Sequence, residues 1–234
     1  MKKINLLSSI LFLSLMGCTN SKGEILSSVE SQDENSSNFS PAEIREMAVK
    51  TSEDIYSGTY TVEQTFTNFI DSPDEATRKN RILKDNKNLE FQEFKNDEYV
   101  VNGYMEFVSG GAFIYSGKNG EWTKEKLYDS DQTLEATKNM SAFYSRFVIK
   151  EMLNTNSNTT WTYDNNIVTG VGSPMNFDRM ECTIMIERDD QKLLNISLEF
   201  GEEDPSLHSY YTFVFTNWND THVTLPEART INEA

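Results

Sequence analysis

Glu181-Cys182-Thr183-Ile184-Met185-Ile186-Glu187-Arg188-Asp189-Asp190-Gln191-Lys192-Leu193-Leu194-Asn195-Ile196-Ser197-Leu198-Glu199-Phe200 reads as two strands joined by a turn. Cys182, Ile184 and Ile186 recur on the two-residue period of extended backbone and share one face of the first strand. Asp189-Asp190 supplies the turn. In the second strand Leu194, Ile196, Leu198 and Phe200 are expected to point inward and Asn195, Ser197 and Glu199 outward. A hairpin with one apolar and one wet face predicts an antiparallel sheet that buries one side against a core.

The same period runs outward from this hairpin in both directions. Tyr60, Val62, Phe66 and Ile70 alternate with Thr61, Glu63, Thr65 and Thr67, and Asp71-Ser72-Pro73-Asp74 turns the chain. Arg81 to Lys95 gives a further strand or pair, with Leu89 and Phe91 apolar. Tyr99, Val101, Met105 and Phe107 make another strand, Gly110-Gly111 marks a turn or bulge, and Ala112 to Ser116 returns. Lys118-Asn119-Gly120 is a hairpin signal leading to Trp122. Strands are further expected at Thr159 to Tyr163, Ile167 to Val171, Arg179 to Glu187, Lys192 to Phe200 and Ser209 to Trp218, with Thr221 to Leu225 closing the chain before Pro226. Strand follows strand without regular helical alternation, so an antiparallel sheet is expected throughout.

Two segments break the period. At Phe39-Ser40-Pro41-Ala42-Glu43-Ile44, Ser40 is a helix cap, Pro41 suits the first helical position, Glu43 completes a capping box and Phe39 can staple onto Ile44. Ile44, Met47, Ala48, Thr51 and Ile55 then follow helical spacing to about residue 56, and Gly58 is a plausible stop. The second helical segment is expected over 131–154. Within it Met140, Phe143, Tyr144, Phe147 and Val148 fall on one face as an aromatic stripe, and Asn154 to Asn158 ends it. The fold class is therefore α+β, a strongly curved antiparallel sheet with helices packed on its concave face.

With 14 Phe, 10 Tyr and 37% hydrophobic residues, the chain can bury a real core. Its formal net charge is −16. Such a surface repels phosphate backbones and anionic lipid heads, so nucleic acid is not an expected partner. No cofactor, metal or catalytic residue is expected either. Cys182 and Cys18 are the two cysteines, and the strand pattern makes Cys182 a buried thiol rather than a nucleophile. His208 and His222 follow turns and read as exposed loop residues. Gly170-Val171-Gly172-Ser173-Pro174 only looks like a nucleophile elbow, and the acidic runs Asp129-Ser130-Asp131 and Glu202-Glu203-Asp204 lack the rest of a calcium loop. Two His and one lone Cys do not make a zinc site.

At the other end, Lys2 and Lys3 precede the largely apolar run Ile4 to Met16, which closes on Gly17 and Cys18. The run is shorter than the roughly 20 residues a spanning helix needs, which favours a processed signal over a transmembrane anchor. Leu15-Met16-Gly17-Cys18 resembles the lipobox of bacterial lipoprotein precursors, in which the Cys is lipidated and becomes the mature N-terminus. That resemblance implies cleavage between Gly17 and Cys18, a signal peptide over 1–17, and a lipid anchor on Cys18 that holds the chain at the outer side of the cell membrane. Residues 18–38, rich in Ser, Asn, Glu and Asp, then form a flexible tether, with a reach on the order of 25 Å by random-coil scaling. A single domain is expected over 39–234.

One leading helix, a run of curved antiparallel strands, a helical insertion and further strands ending in Leu225-Pro226 together resemble the half-barrel of the LolA/LppX lipoprotein-carrier superfamily. The resemblance spans roughly Phe39 to Glu227 and rests on the order of elements. It implies an apolar cavity between sheet and helices and a non-catalytic protein that carries or senses a lipid or other hydrophobic ligand. Phe143, Tyr144 and Phe147 are the candidate ligand-binding residues on the helix, facing Tyr99, Met105 and Phe107 on the sheet. The same stripe also reads as solid core packed under the sheet, and this blander reading is the favoured one. The alternative function is a surface interaction or structural lipoprotein whose sheet faces a protein partner.

Overall fold

The computed structural model describes residues 39–68, 77–109, 111–118, 120–128, 144–174, 181–189, 192–201 and 208–230. Gly17, Cys18, the tether, the Asp71 turn, Phe143 and the first part of the expected second helix lie outside the described residues.

The first helix, α1 (Pro41–Ser57), starts as its local sequence requires. The Ser40 side chain accepts from the Glu43 amide, and Glu43 Oε2 accepts from the Ser40 amide at 2.7 Å, so the capping box is formed in both directions. Ile44, Ala48, Thr51, Ser52 and Ile55 make its buried stripe. Phe39 sits edge-on to Tyr163 with ring centres 4.9 Å apart. Gly58 caps the helix with an ordinary negative φ; what it provides is room, since a Cβ there would stand 2.6 Å from both the Asp54 carbonyl oxygen and Trp218.

The strands are β1 (Tyr60–Asn68), β2 (Thr77–Lys84), β3 (Asn88–Lys95), β4 (Glu98–Val108), β5 (Gly111–Lys118), β6 (Glu121–Tyr128), β7 (Thr160–Asp164), β8 (Ile167–Gly172), β9 (Glu181–Asp189), β10 (Lys192–Gly201), β11 (Ser209–Thr216) and β12 (Ala228–Thr230). The second helix, α2 (Tyr144–Leu153), lies between β6 and β7. Among the described residues the strands form one sheet in the order β12-β6-β5-β4-β3-β2-β1-β11-β10-β9-β8-β7. The chain thus meanders outward from β1 to β6, restarts at the opposite edge with β7, and meanders back until β11 pairs with β1. The sheet does not close, as a half-barrel requires. All neighbours are antiparallel except β12, which runs parallel to β6. The expected closing strand at Thr221 to Leu225 is not formed; that segment is irregular, and the pairing falls three residues later.

Several turns follow from residues that tolerate left-handed backbone. Asn96-Asp97 (φ 48° and 64°) and Asn165-Asn166 (φ 47° and 66°) make tight hairpin turns. Gly120 at φ 82° turns the β5–β6 hairpin where the sequence places it.

The pairing registers put Tyr60, Val62, Ile82, Leu89, Met105 and Ala112 on the same face as Phe213, Phe215, Ile196, Leu198, Ile184, Ile186 and Val168. This is the core face, and both helices pack against it. Each fully buried Ile or Leu there contributes about 1.5–3 kcal/mol. Cys182 is among the buried residues, as expected. One inward assignment shifts: a bulge between Leu193 and Asn195 advances the phase of β10, so Leu193 is fully buried while Leu194 is half-buried.

The last turn of α1 contains no basic residue, and carbonyls and side-chain oxygens toward this end are met by cations from elsewhere in the fold. Lys84 Nζ donates to the Gly58 carbonyl, Arg146 Nε to the Ser52 carbonyl at 3.2 Å, and Arg188 to Thr51 and Asp54. Cations at a helix C-terminus complement the macrodipole.

At the same end, Asp85 clamps the closing segment. Its carboxylate accepts from the amides of Lys87, Asn88 and Val223. Burial alone would raise its pKa, but these donors more than offset it and hold it below the ordinary 3.8. The folded state therefore keeps this charge to lower pH than the unfolded chain does, so the stabilisation is present above the unfolded value and fades as pH falls through the folded one. Asp85→Asn is expected to be less stable than the parent chain near pH 7, with the gap closing toward pH 2; urea unfolding at both pH values checks this, and a gap independent of pH would refute it.

Candidate functional site

The aromatic residues of the core face gather in a cluster at the end of the sheet away from the α1 C-terminus. Phe66 stacks on Tyr211 with centres 4.4 Å apart, and Tyr211 stands edge-on to Phe200 at 5.8 Å. Tyr144, at the start of the described part of α2, packs on both, 5.0 Å from Tyr211 and 6.2 Å from Phe200. Phe147 lies 6.5 Å from Tyr144. The Tyr144 and Tyr211 hydroxyls are hydrogen-bonded to each other. Burial is the main reason Tyr211 is pushed up to about 12 and Tyr144 further still. Burial raises the Cys182 thiol strongly as well, so at neutral pH it is a protonated, inert neighbour of this cluster.

The candidate ligand residues divide among three places. Tyr144 and Phe147 belong to the aromatic cluster, half-buried rather than central to the helix stripe. The buried side of α2 is Ser145, Arg146, Val148, Ile149 and Met152, because the helix also packs against α1 and turns Val148 and Ile149 inward. Met105 and Phe107 lie on the core face as expected, over the β3–β5 arm with Phe91 and Ile114. Tyr99 is on the opposite face. Phe91 pairs with Gly103 but Gln92 with Val101, so Asn102 is an extra residue that flips the alternation between Tyr99 and Met105. There the Tyr99 ring carries the Arg81 guanidinium 3.9 Å from its centre, and Arg81 pairs with Glu63.

The core face is wider than the described helices. α1 meets β7 and β8, and α2 adds side-chain packing over β10 and β11. On the β3–β5 arm, Phe91, Phe107 and Ile114 are only partly buried although they adjoin fully buried Ile82 and Ala112. Pockets of about 300 Å³ are found at two places among the described residues, each lined mainly by polar and charged residues. One is lined by Thr77, Arg78, Lys79, Glu93 and Phe94, the other by residues including Asp85, Asn88, Thr221 and His222.

The two histidines differ: His222 sits on an irregular, exposed segment as the sequence suggests, and His208 does not. His222 is exposed, but His208 is half-buried, with Nδ1 2.7 Å from Glu199 Oε1. Tyr210 also hydrogen-bonds to Glu199, and the bonds from His208 and Tyr210 hold that carboxyl below its usual range. The carboxylate takes both donors, and the hydroxyl is held by Glu199 in a bond that raises its pKa, the opposite of nucleophile activation. The Pro205-Ser206 sequence before His208 carries no sign of this, since the contact depends on strand pairing. Among the described residues no group of His, Cys, Asp or Glu is placed to hold a metal ion, and no helix is long and apolar enough to cross a membrane.

Remote structural neighbours are found among solved proteins. The chain is similar in fold to LprF from Mycobacterium bovis, with 12% identity, 80% of this chain and 98% of that one covered, and a TM-score of 0.37. It is also similar to the lipoprotein LppX of Mycobacterium tuberculosis, with 14% identity, 77% and 97% coverage and a TM-score of 0.36. A LolA superfamily protein from Nitrosomonas europaea is matched at 9% identity, with 80% and 96% coverage and a TM-score of 0.30. No protein-family model matches the sequence, and no curated protein matches it.

Proposed function

We propose that this chain is a non-catalytic extracytoplasmic lipoprotein that holds a hydrophobic ligand or lipid between its sheet and helices. Residues 1–17 are read as its signal peptide, 18–38 as a tether and 39–234 as the ligand-binding domain, with the helices on the concave side of the sheet. The observation that carries the reading is the partly buried apolar arm of Phe91, Phe107 and Ile114 beside buried Met105, continuous with the core yet beyond the strands that α1 and α2 pack on. A lipid chain on such a surface gains about 0.8 kcal/mol per buried methylene. Protein partners are less well supported: the exposed Met185 and Val214 on the outer face have polar Ser197 and Asn195 as their cross-strand neighbours, so no broad apolar patch forms there.

Native mass spectrometry of chain purified gently from a bacterial host is expected to show a stoichiometric adduct that organic extraction removes. Bare chain mass in repeated preparations would defeat the ligand reading. The anchor is tested separately. Cys18→Ser is expected to abolish incorporation of an alkyne fatty acid and to release the chain from membranes, because two or more acyl chains are what make such attachment stable. Undiminished labelling of the variant would place the lipid elsewhere.

A further inference from the structure

The sheet forks at one place on the rim of the apolar face. β2 stays paired with β1 as far as Thr77 opposite Thr67, whereas its ladder with β3 ends at Asn80 opposite Glu93. Past that rung lies the pocket of about 300 Å³ lined by Thr77, Arg78, Lys79, Glu93 and Phe94. Two adjacent cations line it in a chain of formal charge −16. Neither Arg78 nor Lys79 forms an ion pair among the described residues. The ammonium of Lys79 lies 5.5 Å from the centre of the Phe94 ring. Glu93, the carboxylate of the pocket, is already engaged: Oε2 accepts from Lys95 Nζ at 2.9 Å and Asn102 Nδ2 at 2.8 Å. Arg78 is thus left with a carboxylate nearby that has other partners.

The pocket also adjoins the aromatic cluster. Arg78 stands opposite Phe66 in the β1–β2 register, Phe66 stacks on Tyr211, and Arg78 is near enough to Tyr211 to favour its ionised form. A planar guanidinium that makes no ion pair among the described residues suits a carboxylate or phosphate oxygen pair. The acidic surface repels anions generally, but charges more than about 8 Å away are screened at physiological salt, so the two cations dominate locally.

We infer that this fork binds the anionic head of an amphiphile whose apolar part lies along the core face. The inference rests on the hydrophobic-ligand reading and adds the headgroup class to it. A free anion is the competing occupant; the adjoining Phe66 and Tyr211 favour the amphiphile.

The test uses the full chain carrying Cys18→Ser, so that no attached acyl chain competes, and two fluorescent probes, cis-parinaric acid and its neutral methyl ester. The acid is expected to bind about tenfold more tightly than the ester, the scale of one charge-assisted hydrogen-bonded contact. Arg78→Gln should bring the two within about twofold while leaving the ester's affinity unchanged, and Arg78→Lys should keep most of the preference. Lys79→Gln, at the outer side of the same fork beside Phe94, should lower the preference less than Arg78→Gln does, by about twofold. Equal binding of acid and ester, or a preference surviving both glutamine variants, overturns the headgroup inference while the ligand reading survives. Binding of neither probe defeats the ligand reading and the inference with it. Displacement of the acid by inorganic phosphate at equal concentration assigns the fork to a free anion and overturns the amphiphile.

Discussion

Tyr60→Ala is expected to destabilise the folded chain by about 4 kcal/mol, in the range of large aromatic deletions from a closed core. Tyr60 is fully buried at the point where α1 hands over to the sheet. Its ring meets Phe215 at 5.2 Å and Trp218 at 5.0 Å, and its hydroxyl donates to the Ile55 carbonyl in the last turn of α1 at 2.8 Å. Removing the ring leaves a cavity lined by rigid aromatic side chains that cannot collapse into it. Tyr60→Phe separates the two contributions: it keeps the ring and strips a buried carbonyl of its donor, a loss of about 1–2 kcal/mol. For a domain of this size each kcal/mol moves the melting temperature by about 2–4 °C, so the alanine variant should melt roughly 10 °C lower. Equal losses in the two variants would assign the whole effect to the hydroxyl and contradict the packing argument.

Arg188→Ala comes next, at about 3 kcal/mol, because it strands a half-buried carboxylate. The guanidinium is 11% exposed and forks from β9 onto α1, with Nη1 2.7 Å from Thr51 Oγ1 and Nη2 2.8 Å from Asp54 Oδ2. Lys50 also reaches Asp54, at 3.2 Å, but from a solvated position one helical turn away, where such pairs add little. Arg188→Lys should recover only part of the loss, since one ammonium cannot span both acceptors. A double-mutant cycle with Asp54→Ala is expected to give a coupling of about 1–3 kcal/mol. Additive losses would show that the two side chains do not act as a pair.

Both residues bear on function through the seating of α1. Together with Lys84 on β2 and Arg146 on α2 they tie the helix to strands on both sides of the sheet's centre, and the apolar surface of β3–β5 adjoins β2. A ligand on this arm would meet a rigid wall on one side and the cationic fork of β2 and β3 on the other. Loosening α1 should therefore weaken ligand retention along with stability, whereas substitutions in the fork should change head-group preference with the fold intact.

Much of this was written locally in the chain. The cap of α1 needs only Ser40, Pro41 and Glu43, whose hydrogen bonds close within three residues. The strands announce themselves through two-residue alternation, and even the burial of Cys182 follows from it. What the local pattern could not carry is anything that depends on a partner strand. The bulge at Asn102 sends Tyr99 to the outer face although Tyr99 and Met105 are in phase by count, and the bulge before Asn195 buries Leu193 more deeply than Leu194. The pairing of β1 with β11, the parallel seat of β12, the meeting of His208 with Glu199, and the fork around Arg78 all join residues whose proximity comes from the order of strands in the sheet. The sequence by itself determined where helices and strands begin and which faces are apolar, because capping and alternation are satisfied within a few residues. Tertiary structure decided which of those faces oppose one another and where the apolar surface meets the cations of β2, because an extra residue in one strand changes phase only relative to its neighbour.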